Sequence, residues 1–93
     1  KYNTSFLDGR KKMGIEKIEK IESAAYRRII KHLQKRTDVQ NIDVMELAGF
    51  CRNCLSRWMS EEAEKLSINY SKETAQEYVY GMTYEKWKEN FQK

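Results

Sequence analysis

Hydrophobic residues recur at three- and four-residue steps along most of this chain, which is the spacing of helices that bury one face. The first such stretch runs from about residue 13 to 36, and the second from about 42 to 66. Two shorter stretches follow at about 71–80 and 83–92. The pattern therefore predicts an all-α fold, a small bundle of two long helices and two short C-terminal helices.

Each long helix has an apolar stripe. The stripe of the first helix comprises Ile15, Ile18, Ile21, Ala25, Tyr26, Ile29, Ile30 and Leu33. The stripe of the second helix comprises Val44, Leu47, Ala48, Cys51, Leu55, Trp58, Met59 and Leu66. We expect the two stripes to form the core of a helical hairpin, with the aromatic C-terminus packed across it.

Local signals mark the ends of the short helices. Ser71 is a favourable N-cap for the first of them, and Gly81 is a typical stop signal at its C-terminus. Thr83 is placed to start the last helix. Trp87 and Phe91 are four residues apart in that helix, so they share one face.

The length of 93 residues predicts one domain. Residues 1–12 lack periodicity and are predicted to be a flexible arm, which leaves 13–93 as the helical domain. No apolar run approaches the ~18 residues that a membrane-spanning helix needs. The chain begins at Lys1 rather than at a methionine, which is compatible with a processed form.

The net charge of +4 is unevenly distributed. Residues 1–36 contain eleven Lys and Arg against four acids, whereas residues 37–93 contain seven against ten. On the first helix, six basic residues lie opposite the apolar stripe: Lys17, Lys20, Arg27, Arg28, Lys31 and Lys35. Such a face is either simply solvated or an interaction face for an acidic protein, nucleic-acid phosphates or an anionic membrane surface.

Cys51 and Cys54 are the only cysteines, and three interpretations remain open. Both thiols could fill the core, since buried cysteine behaves as a small hydrophobe. They could ligate zinc or another thiophilic metal with the sole histidine, His32, and a carboxylate or water. They could also cycle as a redox dithiol. Free thiols indicate a reducing compartment in each case.

The redox interpretation depends on Gly49. A reactive C-x-x-C motif needs its first cysteine at a helix N-terminus, where the helix dipole favours thiolate. Cys51 reaches such a position only if the second helix breaks at Gly49. A helix that continues through this glycine favours packed thiols instead.

Three polar residues are expected to be buried. Glu22 falls within the apolar arc of the first helix, and a buried carboxylate needs a partner. Arg52 and Asn53 of the second helix are candidates for that role.

No glycine-rich phosphate loop, nucleophile elbow or metalloprotease motif occurs, so no catalytic residue is expected and the chain is not expected to be an enzyme.

Several runs resemble the DUF1244 family, short proteobacterial proteins. They are RTDVQNID (36–43), AGFCRNCLSRW (48–58) and EYVYGM (77–82), with His32-Leu33, Tyr84 and Trp87-Lys88 around them. The resemblance extends from about residue 22 to the end and implies a small helical fold without an established activity. Thr83 and Met59 depart from the proline and tyrosine expected there. A mitochondrial descendant of this family would place the chain in the mitochondrial matrix, and otherwise we expect the bacterial cytoplasm.

Size, the basic face and the lack of catalytic motifs favour a small helical protein–protein interaction module, an accessory or assembly subunit of a larger complex. The alternative is a protein whose Cys51/Cys54 pair binds metal or undergoes redox chemistry. Nucleic-acid binding through the basic face is a weaker alternative, because the aromatic residues are not interleaved with the lysines.

Overall fold

The computed structural model describes residues 14–93, and these form five helices joined by short links. They are α1 (Ile15–Lys35), α2 (Asn41–Ala48), α3 (Arg52–Lys65), α4 (Lys72–Tyr80) and α5 (Tyr84–Phe91). Residues 14–93 contain no strand. The predicted all-α class is confirmed, whereas the predicted arm at 1–12 lies outside the described residues.

The predicted helix over 42–66 is divided in two. At Gly49 the backbone turns into the left-handed region, with φ of 80°, and its N–H donates to the Met45 carbonyl at 2.8 Å. Glycine adopts this conformation at little cost, and it commonly ends helices. Cys51 then has extended dihedral angles, and α3 begins at Arg52. The prediction of one continuous helix is therefore corrected to two helices.

The predicted ends of the short helices are confirmed. The Ser71 hydroxyl accepts a hydrogen bond from the Thr74 N–H at 3.0 Å. The Thr83 hydroxyl likewise accepts from the Lys86 N–H at 3.2 Å. Gly81 ends α4 with a φ of 74°. Each cap depends on residues within one helical turn, which is why the local sequence predicts it.

The short helix α4 is at the centre of the core, because it packs against α1, α3 and α5. Val79 of α4 is fully buried and clusters with Ile30 of α1 and Leu55 of α3. Tyr80 is the next residue of α4, and its ring lies 5.2 Å from that of the buried Trp87 in α5. The core therefore forms around α4 rather than directly between the two long helices.

Much of the predicted apolar surface remains uncovered. In α1 only Ile30 is buried, and Ile21 and Ile29 are about half exposed, at 52 % and 50 %. No residue of α2 is buried, and Leu47 is 91 % exposed. The periodicity correctly identifies amphipathic helices, but the change of direction at Gly49 takes α2 away from the core.

Among residues 14–93, no helix combines the length and apolar character that crossing a membrane requires.

Candidate functional site

The break at Gly49 places the two cysteines at the start of α3. Cys51 is the N-cap residue of α3, and Cys54 is its third helical residue. The two Sγ atoms lie 3.9 Å apart. Both thiols are free and buried, with 7 % and 8 % of their surface exposed. The position at a helix N-terminus is the one that the redox interpretation requires and that a continuous helix would exclude. The burial of both thiols is what the core-filling interpretation expects.

The N-terminus of α3 differs in its cap from those of α4 and α5. Those two helices have hydroxyl caps from Ser71 and Thr83, whereas no side chain caps α3. Cys51 occupies the position at which serine, threonine or aspartate usually accepts the first amide hydrogen bonds. Unpaired amides and the helix dipole make such a position favourable for anions, including thiolates.

Arg52 projects into the protein and ties the start of α3 to two neighbouring segments. Its guanidinium donates to the carbonyls of Arg36 at 2.8 Å and Leu33 at 3.4 Å, which lie at the end of α1. It also donates to the Asn41 side chain at 3.0 Å, at the start of α2. Arg52 is 1 % exposed, and this burial lowers its pKa from the usual value.

The buried arginine also contacts an aromatic ring. The guanidinium carbon of Arg52 lies 4.9 Å from the centre of the Trp87 ring, within the range of cation–π attraction. Because Trp87 belongs to α5, Arg52 connects α1, α2, α3 and α5. A charge that is removed from water needs such partners.

Asn53, the other residue between the cysteines, is also held by side-chain hydrogen bonds. Its side-chain oxygen accepts from the Tyr80 hydroxyl at 2.7 Å, and its amide nitrogen donates to the Tyr84 hydroxyl at 3.4 Å. The Tyr80 hydroxyl accepts in turn from the Asn41 amide at 3.0 Å. Burial raises the pKa of Tyr80, so it stays a neutral donor. Arg52 and Asn53 together hold the backbone of the C-R-N-C motif in place.

A partly exposed pair of aromatic rings borders the thiols. Trp58 lies four residues after Cys54 in α3, so the two residues share one helix face. The Trp58 ring centre lies 5.7 Å from that of Phe50, which immediately precedes Cys51. Trp58 is 43 % exposed, although the sequence predicts it to be in the core.

The structure brings the two cysteines together but not His32, which is exposed on α1. No group of three or more His, Cys, Asp or Glu residues within residues 14–93 is arranged to hold a metal ion. Two thiolates alone leave a tetrahedral zinc ion short of two ligands. A metal at this pair would therefore depend on ligands other than His32.

The predicted buried polar residues have partners that the sequence does not reveal. Arg52 and Asn53 pair with residues of other elements, while Glu22 is partly exposed on α1. The tyrosines of this network, Tyr80 and Tyr84, are absent from the sequence-based candidates. They come from different elements, and no local spacing indicates that they meet Asn53.

All six residues of the predicted interaction face are exposed. At 100° per residue, Lys17, Arg28 and Lys35 border one edge of an apolar stripe that the core leaves largely uncovered. We call this surface the α1 stripe, and it consists of Ile18, Ile21, Ala25 and Ile29.

The fold and the site together define a small all-α protein with a dithiol at the N-terminus of an internal helix. The chain belongs to the family described as "Protein of unknown function (DUF1244)", whose model matches residues 39–93. The match confirms the resemblance seen in the sequence and covers α2 to α5, including both cysteines, but not α1. No curated protein matches the chain.

Proposed function

We propose that Cys51 and Cys54 form a redox dithiol that exchanges with disulfides. The observation that carries this proposal is the 3.9 Å separation of the two sulfurs at the N-terminus of α3. Two cysteines within a regular helix have little freedom to meet the strict geometry of a disulfide. Cys51 lies outside the helix with extended dihedral angles, so this restriction does not apply to the pair.

The reaction needs only the two thiols and a disulfide substrate. The Cys51 thiolate attacks one sulfur of the substrate, the substrate S–S bond breaks, and the leaving thiolate takes up a proton. Cys54 then attacks the Cys51 sulfur of the mixed disulfide and releases the second substrate thiol. The substrate gains two electrons and two protons, and the chain ends with a Cys51–Cys54 disulfide. A cellular thiol reductant would restore the dithiol, which suits the reducing bacterial cytoplasm or mitochondrial matrix proposed for this chain.

The test is an equilibrium titration of the full chain in buffers with varied ratios of reduced to oxidised dithiothreitol. Thiol alkylation and mass spectrometry measure the oxidised fraction, and zinc is measured in the same samples. We expect an intramolecular disulfide that forms and is reduced reversibly, with no such transition in a variant carrying both Cys51→Ser and Cys54→Ser. Thiols that react only after denaturation would contradict the proposal, and stoichiometric zinc with unreactive thiols would favour the metal alternative.

As a second candidate, we propose a protein–protein interaction module that works as an accessory or assembly subunit. The α1 stripe supports this function, because an apolar surface exposed to water is typical of a binding site. Lys17, Arg28 and Lys35 border the stripe, so the matching partner is an amphipathic helix with acidic residues beside its apolar face.

Two synthetic amphipathic peptides with the same leucine face test this second candidate. One has glutamates beside the apolar face and the other has lysines. We expect the acidic peptide to bind roughly ten-fold more tightly, a difference of about 1.4 kcal/mol. Ile21→Ser should weaken this binding, whereas Ile68→Ser, at a position 56 % exposed outside α1, should not. Equal affinities, or tighter binding to an RNA duplex or anionic vesicles, would contradict this candidate.

A further inference from the structure

We infer that the surface beside the dithiol binds a polypeptide disulfide whose flanking residues are apolar and basic. This inference rests on the proposed redox function and adds the class of substrate. The surface consists of Leu47, Phe50 and Trp58, and we call it the aromatic platform.

The two aromatic rings of the platform adjoin the thiol site, and Leu47 is close to them in the chain. Phe50 is bonded to Cys51, and Trp58 lies one helical turn beyond Cys54 on the same face. The contact between the two rings joins the residues on either side of the motif. Leu47 lies in the last turn of α2, three residues before Phe50. A polypeptide that brings a disulfide to Cys51 therefore comes close to the rings of Phe50 and Trp58.

The exposure of the platform indicates a macromolecular substrate. Leu47 is 91 % exposed and Trp58 is 43 % exposed, although both are large apolar side chains. Burying such surface against a partner is favourable by roughly 25 cal/mol for each Å². Tryptophan is also among the residues that contribute most to binding when they are covered. A small disulfide without apolar side chains gains little from this surface.

The charge beside the platform favours basic flanking residues. Residues 41–51 contain two acids, Asp43 and Glu46, and no lysine or arginine. On the surface of α3, Arg57 lies 3.5 Å from Glu61 and Lys65 lies 2.9 Å from Glu62. Among residues 14–93, Asp43 and Glu46 have no ion-pair partner, so α2 contributes net negative charge at this edge. It attracts cationic polypeptides and repels glutathione disulfide, whose carboxylates make it an anion.

Single-turnover reduction of defined disulfides by the full, reduced chain tests this inference. Three peptides share one internal disulfide and differ in their flanks, which are Phe and Lys, Phe and Glu, or Ser and Lys. Glutathione disulfide is the fourth substrate. We expect the Phe and Lys peptide to react roughly ten-fold faster than either of the other peptides, which corresponds to about 1.4 kcal/mol.

Variants then assign the preference to the platform. Trp58→Ala should slow reduction of the peptide flanked by Phe and Lys to the rate measured for the peptide flanked by Ser and Lys. It should leave the rate of glutathione disulfide reduction unchanged. Asp43→Asn with Glu46→Gln should remove the preference for lysine over glutamate. Leu66→Ala, at a site 68 % exposed after the last turn of α3, is the matched control and should change no rate.

The outcomes separate the two proposals. Equal rates for the three peptides, or a Trp58→Ala variant that slows glutathione disulfide as much as the peptides, would overturn the inference about the substrate. Failure of the unaltered chain to reduce any of the four disulfides would instead overturn the redox function itself.

Discussion

Replacing Arg52 with methionine should lower the free energy of unfolding by about 3–5 kcal/mol, because it leaves buried acceptors without donors. The guanidinium now satisfies the Asn41 side chain and the carbonyls of Leu33 and Arg36. Methionine fills similar space but offers no N–H group, so these oxygens would lose their partners. A well-packed apolar side chain can replace a buried charge at no cost only when the partner groups are also removed.

Urea denaturation followed by circular dichroism measures this loss. Arg27→Met is the matched control, since Arg27 is exposed on α1 and its replacement should change stability by less than about 0.5 kcal/mol. Arg52→Lys keeps the charge but not the branched set of donors, so we expect it to fall between the two. An Arg52→Met variant within about 1 kcal/mol of the unaltered chain would show that the network does not stabilise the fold.

The Arg52 variant also connects stability with the site. Arg52 is the first residue of α3 and lies between the two cysteines, so its loss would free the backbone that fixes the Cys51 and Cys54 positions. Arg52 lies near enough to Cys51 to interact with it electrostatically, but its hydrogen bonds run to Leu33, Arg36 and Asn41 rather than to a sulfur. We therefore regard Arg52 as a positioning residue for the dithiol rather than a participant in exchange.

The parts of the fold that the sequence predicts are those with local causes. Ser71, Gly81 and Thr83 determine helix ends through contacts within one turn, and the structure confirms all three. The helical periodicity likewise predicts the all-α class. Gly49 is a different case, because a glycine inside an apolar pattern is compatible with either a helix or a break. Only the packing around Arg52 and Asn53 shows which one occurs.

The parts that the sequence does not predict depend on contacts between distant segments. Periodicity identifies Ile21, Ile29 and Leu47 as members of apolar stripes, but it does not say whether another element covers them. The short helix α4 takes the central position, and these three side chains remain exposed. The partners of Asn53 come from α4 and α5, so no spacing within one segment indicates the network.

Replacing Cys51 with serine should reduce the rate of disulfide exchange by ~100-fold or more, because a hydroxyl does not replace a thiolate as nucleophile near neutral pH. Replacing Cys54 with serine should have a different result. Cys51 still attacks the substrate, but no second thiol resolves the mixed disulfide. The chain should therefore accumulate as a covalent adduct with one half of the substrate.

Mass spectrometry of non-reduced samples distinguishes these two results. The Cys54→Ser variant should gain the mass of one substrate thiol at residue 51, and dithiothreitol should release it. The Cys51→Ser variant should gain little, because Cys54 lies inside the first turn of α3 rather than at its cap. Equal adducts on both variants would show that the two thiols are equivalent, and this would contradict the roles that their positions at the N-terminus of α3 imply.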